Sequence, residues 1–149
     1  DAAGRAPVHS AASEGRVQAL QCLLAAGADK HSAAKDGSTP LHVAAGAGHV
    51  RALECLLTAG ADKGRREHEG YEPLHAAARK GHVGAMERLM AAGADKVSRG
   101  LGGATPMHLA ASSGHVGAVQ CLVDAGADVD AALPDGRTAL HLAAACGHV

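Results

Sequence analysis

Short apolar stripes separated by polar, glycine-punctuated stretches recur along this chain at a fixed spacing of 33 residues. Within one period the first stripe is brief: Leu41, Ala44 and Ala45 follow Thr39-Pro40 and stop at Gly48. That length predicts a helix of about two turns. The second stripe, Val50, Leu53, Leu56 and Leu57, falls on one face of a helix that Gly60 ends. Its copies are Val17, Leu20, Leu23, Leu24; Val83, Met86, Leu89, Met90; and Val116, Val119, Leu122, Val123. Polar connections follow at 28–38, 61–71, 94–104 and 127–137, with Gly37, Gly70, Gly103 or Gly136 just ahead of the next helix. Asp36-Gly37 and Asp135-Gly136 are turn dipeptides, so the connections predict β-turns or short hairpins. Each helix pair carries more apolar surface than the pair itself can cover, and stacking neighbour on neighbour covers it. The expected fold class is an all-α repeat solenoid of helix-turn-helix pairs.

The phase of the period is set by Thr39-Pro-Leu-His-Val-Ala-Ala45, which returns as residues 6–12, 72–78, 105–111 and 138–144. Thr39 stands at the N-cap, where its hydroxyl is expected to accept the backbone N–H of His42, and Pro40 takes the first helical position. Ala6 and Glu72 replace the capping Thr, which predicts a loss of about 1 kcal/mol in each of those helices. Gly84 and Gly117 inside second helices predict a cost of about 1 kcal/mol each relative to Ala. The expected organisation is one array over 1–149, with repeats 1–33, 34–66, 67–99 and 100–132 and a partial repeat 133–149. Leu140 and Leu142 lack a covering second helix, so the array is expected to belong to a longer polypeptide or to meet a partner subunit.

Composition limits how the core is made and what the chain does. There is no Phe or Trp, and Tyr71 is the sole aromatic, so burial falls to Leu, Val, Met, Cys and Ala. Fifteen acidic against 14 basic residues leave no field to attract nucleic acid or an anionic membrane. The densest basic spots, Arg65-Arg66 and Arg79-Lys80, are interleaved with Glu67, Glu69 and Glu72, a pattern of solvated surface and not of a nucleic-acid stripe. No apolar run reaches the length of a membrane-spanning helix.

Cys22, Cys55 and Cys121 share one column, where adjacent layers would hold equivalent residues roughly 8–10 Å apart, beyond disulfide reach. They are expected to be core packing residues. Nine of the 11 histidines form two ladders, His9, His42, His75, His108, His141 and His49, His82, His115, His148. One-layer spacing is too wide for a shared metal, so no metal site and no cofactor is expected; hydrogen bonds to caps and connections account for them. Ser, His and Asp recur with every layer, as a structural template repeats them, so no catalytic residues are assigned and no enzyme is expected.

Thr-Pro-Leu-His-x-Ala-Ala, then Gly-His-Val, Leu-Leu and Ala-Gly-Ala-Asp, together resemble the ankyrin repeat over the whole chain. The resemblance implies an L-shaped stack that binds a protein partner through hairpin tips and the concave face of the first helices. Where the family often has Asn after Ala-Asp, His31, Gly64, Val97 and Asp130 stand instead, which puts the usual connection-stabilising bonds in doubt. Carried over by column, the implied contact residues are Lys35, Asp36, His68, Glu69, Tyr71, Arg79, Lys80, Ser112, Ser113 and Arg137. A hot spot is expected at Tyr71, Arg79 and Lys80, since Tyr and Arg most often carry binding energy. The competing role for Tyr71 is to cover its own connection. Other readings are an assembly subunit or spacer that contacts neighbours through its ends, and a regulatory segment attached to an enzyme or channel. The expected setting is intracellular, in cytoplasm or nucleus.

Overall fold

A computed structural model describes residues 2–148. Among the described residues nine α-helices alternate with turns: α1 Pro7–Ser13, α2 Val17–Ala25, α3 Pro40–Ala47, α4 Val50–Thr58, α5 Pro73–Lys80, α6 Val83–Ala91, α7 Pro106–Ser112, α8 Val116–Asp124 and α9 Ala139–Ala145. A 3-10 turn, Leu101–Gly103, precedes α7. Helices α1, α3, α5, α7 and α9 pack in sequence as an inner row, and α2, α4, α6 and α8 as an outer row. The layers are what the 33-residue period predicts.

Small side chains let the inner row close. Ala44, Ala45, Ala77, Ala78 and Ala110 have no exposed surface, and Leu41 and Leu74 are sealed beside them. In the outer row Leu20, Leu53, Leu56, Met86, Leu89 and Leu122 are fully buried. The apolar face there also takes in Ala52, Ala85 and Ala118, which the Leu/Val spacing left out. Gly84 faces Val50: a Cβ on Gly84 would stand 3.2 Å from Val50 Cγ2, so the glycine admits close approach of α6 to α4.

Gly48 stops α3 with φ 73°, and its N–H and that of His49 close on the carbonyls of Ala45 and Ala44. The next layer also needs that glycine, because a Cβ there would lie 2.6 Å from His82 Nδ1. The second histidine ladder therefore seats its rings on the helix stops of the preceding repeat. His49 Nε2–H donates to the Ser13 carbonyl at 3.0 Å.

The first ladder extends the expected cap. The backbone N–H of the N-cap residue donates to Nδ1 of the histidine three residues on. The distances are 3.1 Å for Ala6–His9, 3.2 Å for Thr39–His42, 3.2 Å for Glu72–His75 and 3.3 Å for Thr105–His108. Where Thr is present its hydroxyl adds a second contact to Nδ1, at 2.9 Å in Thr39. Ala6 and Glu72 thus keep the main capping bond, and the predicted loss in those two repeats shrinks to that extra contact. With Nδ1 accepting, Nε2 carries the proton and donates to the connection that leads into the next repeat: His9 to Ser38 O at 3.1 Å, His42 to Tyr71 O at 3.0 Å, His75 to Ser98 O at 3.0 Å. His108 departs, its buried Nε2 having no hydrogen-bond partner.

The connections are tight turns with no β-strand among the described residues; an isolated antiparallel bridge joins Ala132 and Thr138. In the second repeat Gly37 N–H bonds Ala34 O and Ala34 N–H bonds Ser38 O, both at 2.9 Å. One such closure is too short to build a hairpin ladder. The missing Asn is compensated in two ways. Asp29, Asp62, Asp95 and Asp128 each accept the backbone N–H two residues on, at 2.8, 2.9, 3.0 and 2.9 Å. Arg66 reaches Arg99 O, and Arg99 reaches Ala132 O, both at 3.0 Å, tying each connection to the next.

The cysteine column is corrected in part. Cys22 is exposed, whereas Cys55 and Cys121 are half-buried and pack against the core. Arg88, the third-repeat member, pairs with Glu54 at 3.0 Å.

Candidate functional site

The inner row and the projecting turns enclose a groove of about 360 Å3 on the concave side, spanning Arg5 of the first repeat to Leu109 of the fourth. Its floor is the outward side of α3 and α5: Val43, Gly46, Ala47 and Ala76. Val43, Ala76 and Leu109 occupy the fifth column of the marker, which varies most in character and is filled elsewhere by Ser10 and Leu142. That variability was the available signal, and the contact residues carried over by column do not include it.

Five expected contact residues meet in this groove: Asp36, Glu69, Tyr71, Arg79 and Lys80. The other five do not line it. Lys35 and His68 lie on the preceding turns, Lys35 against Gly4 and His68 over Gly37, and their N–H groups bond Ala3 O and Asp36 O. Ser112 turns its hydroxyl back to Leu109 O at 3.1 Å, and Ser113 is the half-buried end of α7. Arg137 pairs with Asp135 at 2.7 Å.

Tyr71 covers Gly100 of the following repeat. Its ring also lies 5.3 Å from that of His75. Burial raises the phenol's pKa; Glu69 adds to the effect and Arg79 opposes it, so the hydroxyl lies between carboxylates and a guanidinium. Beneath it Glu72 is 5% exposed, accepting from Ser98 Oγ at 2.5 Å with Arg66 Nη2 at 3.4 Å. This buried pair exists only in the third repeat, where Glu replaces the capping Thr.

Charge is distributed unevenly around the groove. On the turn edge, Asp36 Oδ1 accepts the Ser38 hydroxyl and N–H, which hold its carboxyl below the usual range. Glu67 Oε1 accepts the N–H groups of Glu69 and Tyr71, both at 3.0 Å. At the opposite edge Arg79 and Lys80 form the last turn of α5, are exposed, and make no ion pair among the described residues.

A second groove, about 350 Å3 and mostly apolar, opens on the fourth and fifth repeats between Met107, Val119, Val129 and Ala143. Val116 and Leu140 at its rim are 74% and 69% exposed: Val116 departs from the buried stripe expected of the second helices, and Leu140 is uncovered as expected. In the first three repeats Lys30, Lys63 and Lys96 reach toward the end of the next outer helix, Lys96 Nζ donating to Ala125 O at 2.5 Å. Val129 replaces that lysine in the fourth. Among the described residues, no group of three His, Cys, Asp or Glu is placed to hold a metal ion, and no helix is long and apolar enough to cross a membrane.

Stacked two-helix layers with turns beside a concave floor define a helical repeat protein. The family description for ankyrin repeats, in three copies, matches residues 8–100 and 97–149. The chain belongs to the ankyrin-repeat family, whose members generally serve as protein-protein interaction modules. No curated protein matches it.

Proposed function

We propose that the chain is a non-catalytic module that holds a protein partner in the concave groove, with contact concentrated on Tyr71, Arg79 and Lys80 and edged by Asp36 and Glu69. The observation that carries this reading is the pair of exposed cations at the end of α5, without ion-pair partners among the described residues, beside the sole aromatic residue. Charged side chains left in that state are available to a partner, and a Tyr flanked by Arg is the composition of a binding hot spot. Lys35, His68, Ser112, Ser113 and Arg137 then form the rim, where substitution matters less. The test is to capture a partner with the full chain and compare it with the Arg79→Ala, Lys80→Ala variant. Affinity is expected to fall more than ten-fold with helicity unchanged, and amide protection to map to the concave face. Unaltered affinity rejects the assignment.

The apolar groove at Val116, Val129 and Leu140 favours a second reading, an assembly piece that contacts a neighbour through that end. Protection confined to that groove would select it.

A further inference from the structure

The concave groove has opposite charges on its two long edges. We infer that the segment it takes carries both signs: an acidic side chain for Arg79 and Lys80, and a basic one for Asp36 and Glu69, flanking a compact apolar residue. This rests on the concave-face reading above and specifies its partner.

The separation of the edges follows from α5. Its eight residues rise about 12 Å from the turn side to Lys80. No single side chain bridges that distance, so two residues of the partner are required. They stand about four apart in an extended segment and about seven or eight apart in a helix. Between them the floor offers Val43, Gly46 and Ala76, whose small side chains leave room for an apolar side chain but supply no charge.

Both edges are unfilled by the chain itself. Asp36 and Glu67 each commit one oxygen to their own turn, and the other oxygens are not so committed. Glu69 is exposed and without an ion pair among the described residues. Arg5 of the neighbouring repeat exerts a positive influence on the Asp36 carboxylate. A partner of one sign would satisfy one edge and strand the other as it displaced water, which is how an interface rejects wrong partners. A nucleic-acid strand is excluded by the same logic, since its phosphates would face Asp36, Glu67 and Glu69.

A displayed library of random 12-residue peptides, selected against the full chain, tests this. Enriched peptides are expected to carry an acidic and a basic residue at one of the two stated spacings. They are expected to bind at least ten-fold more weakly to the Arg79→Glu, Lys80→Glu variant. Selection on Glu69→Lys should replace the basic residue with an acidic one, a change of preference that does not depend on the first variant's folding. Concave-face binders of a single charge sign would overturn the inference and leave the proposed function standing. Binders that ignore both variants and protect Val116 and Leu140, or no binders, would overturn both.

Discussion

Gly100 lies directly beneath the ring of Tyr71: a Cβ built on Gly100 would overlap Tyr71 Cδ1 and Cε1. Gly100 has φ −96° and ψ −150°, a conformation open to any residue, so its role is room and not backbone freedom. Gly100→Ala is therefore expected to displace the tyrosine and destabilise the chain by about 1–3 kcal/mol. Tyr71 is the only fluorophore, so urea unfolding followed by its emission reads both effects at once. An unchanged midpoint with unchanged emission would show the ring is not seated there.

The histidine cap reverses an ordering that helix-capping rules alone would give. Thr39→Ala removes only the hydroxyl contact to Nδ1 and should cost about 0.5–1 kcal/mol. His42→Ala strips the partner from the Thr39 N–H and from the Tyr71 carbonyl together, for about 2–4 kcal/mol. Denaturation midpoints of the two variants decide the matter; a larger loss at Thr39 would contradict the geometry.

Acid should weaken the stack before carboxylates titrate. Burial lowers the pKa of His75 from 6.5 to about 4, and lowers those of His42 and His108 in the same direction. Between pH 6.5 and 4 the unfolded chain binds the proton that folded His75 refuses, so stability falls with pH across that window. The interval corresponds to about 3 kcal/mol from His75 at full extent. Urea midpoints at pH 7 and pH 5 should differ accordingly. The difference should narrow in His75→Gln, which cannot charge but keeps an acceptor and a donor. A pH-independent midpoint in the unaltered chain would count against the buried neutral ring.

The architecture was legible because the 33-residue period fixes helix starts, stops and faces together. What ties layer to layer was not. Arg66 bonds a carbonyl 33 residues on, and Lys96 one 29 residues on, and nothing in the local pattern of either announces that partner. The cysteine column was legible in part, since Cys55 and Cys121 pack against the core and Cys22, in the first repeat, is exposed. For the candidate groove, column matching placed Tyr71, Arg79 and Lys80 together, since they follow one helix. It also gathered Lys35 and His68, whose rows instead stack turn on turn.

The marker histidine joins two bonds through one proton. Its Nδ1 completes its own helix start only while Nε2–H points forward to the next repeat's turn, as His9, His42 and His75 do. His49 points backward, to Ser13. Melting a repeat therefore unseats the forward donor of the one before it and, through the second ladder, the backward donor of the one after. A disturbance in such an array is passed on by two separate sets of rings: toward the first repeat through the caps, and toward the last through the helix stops.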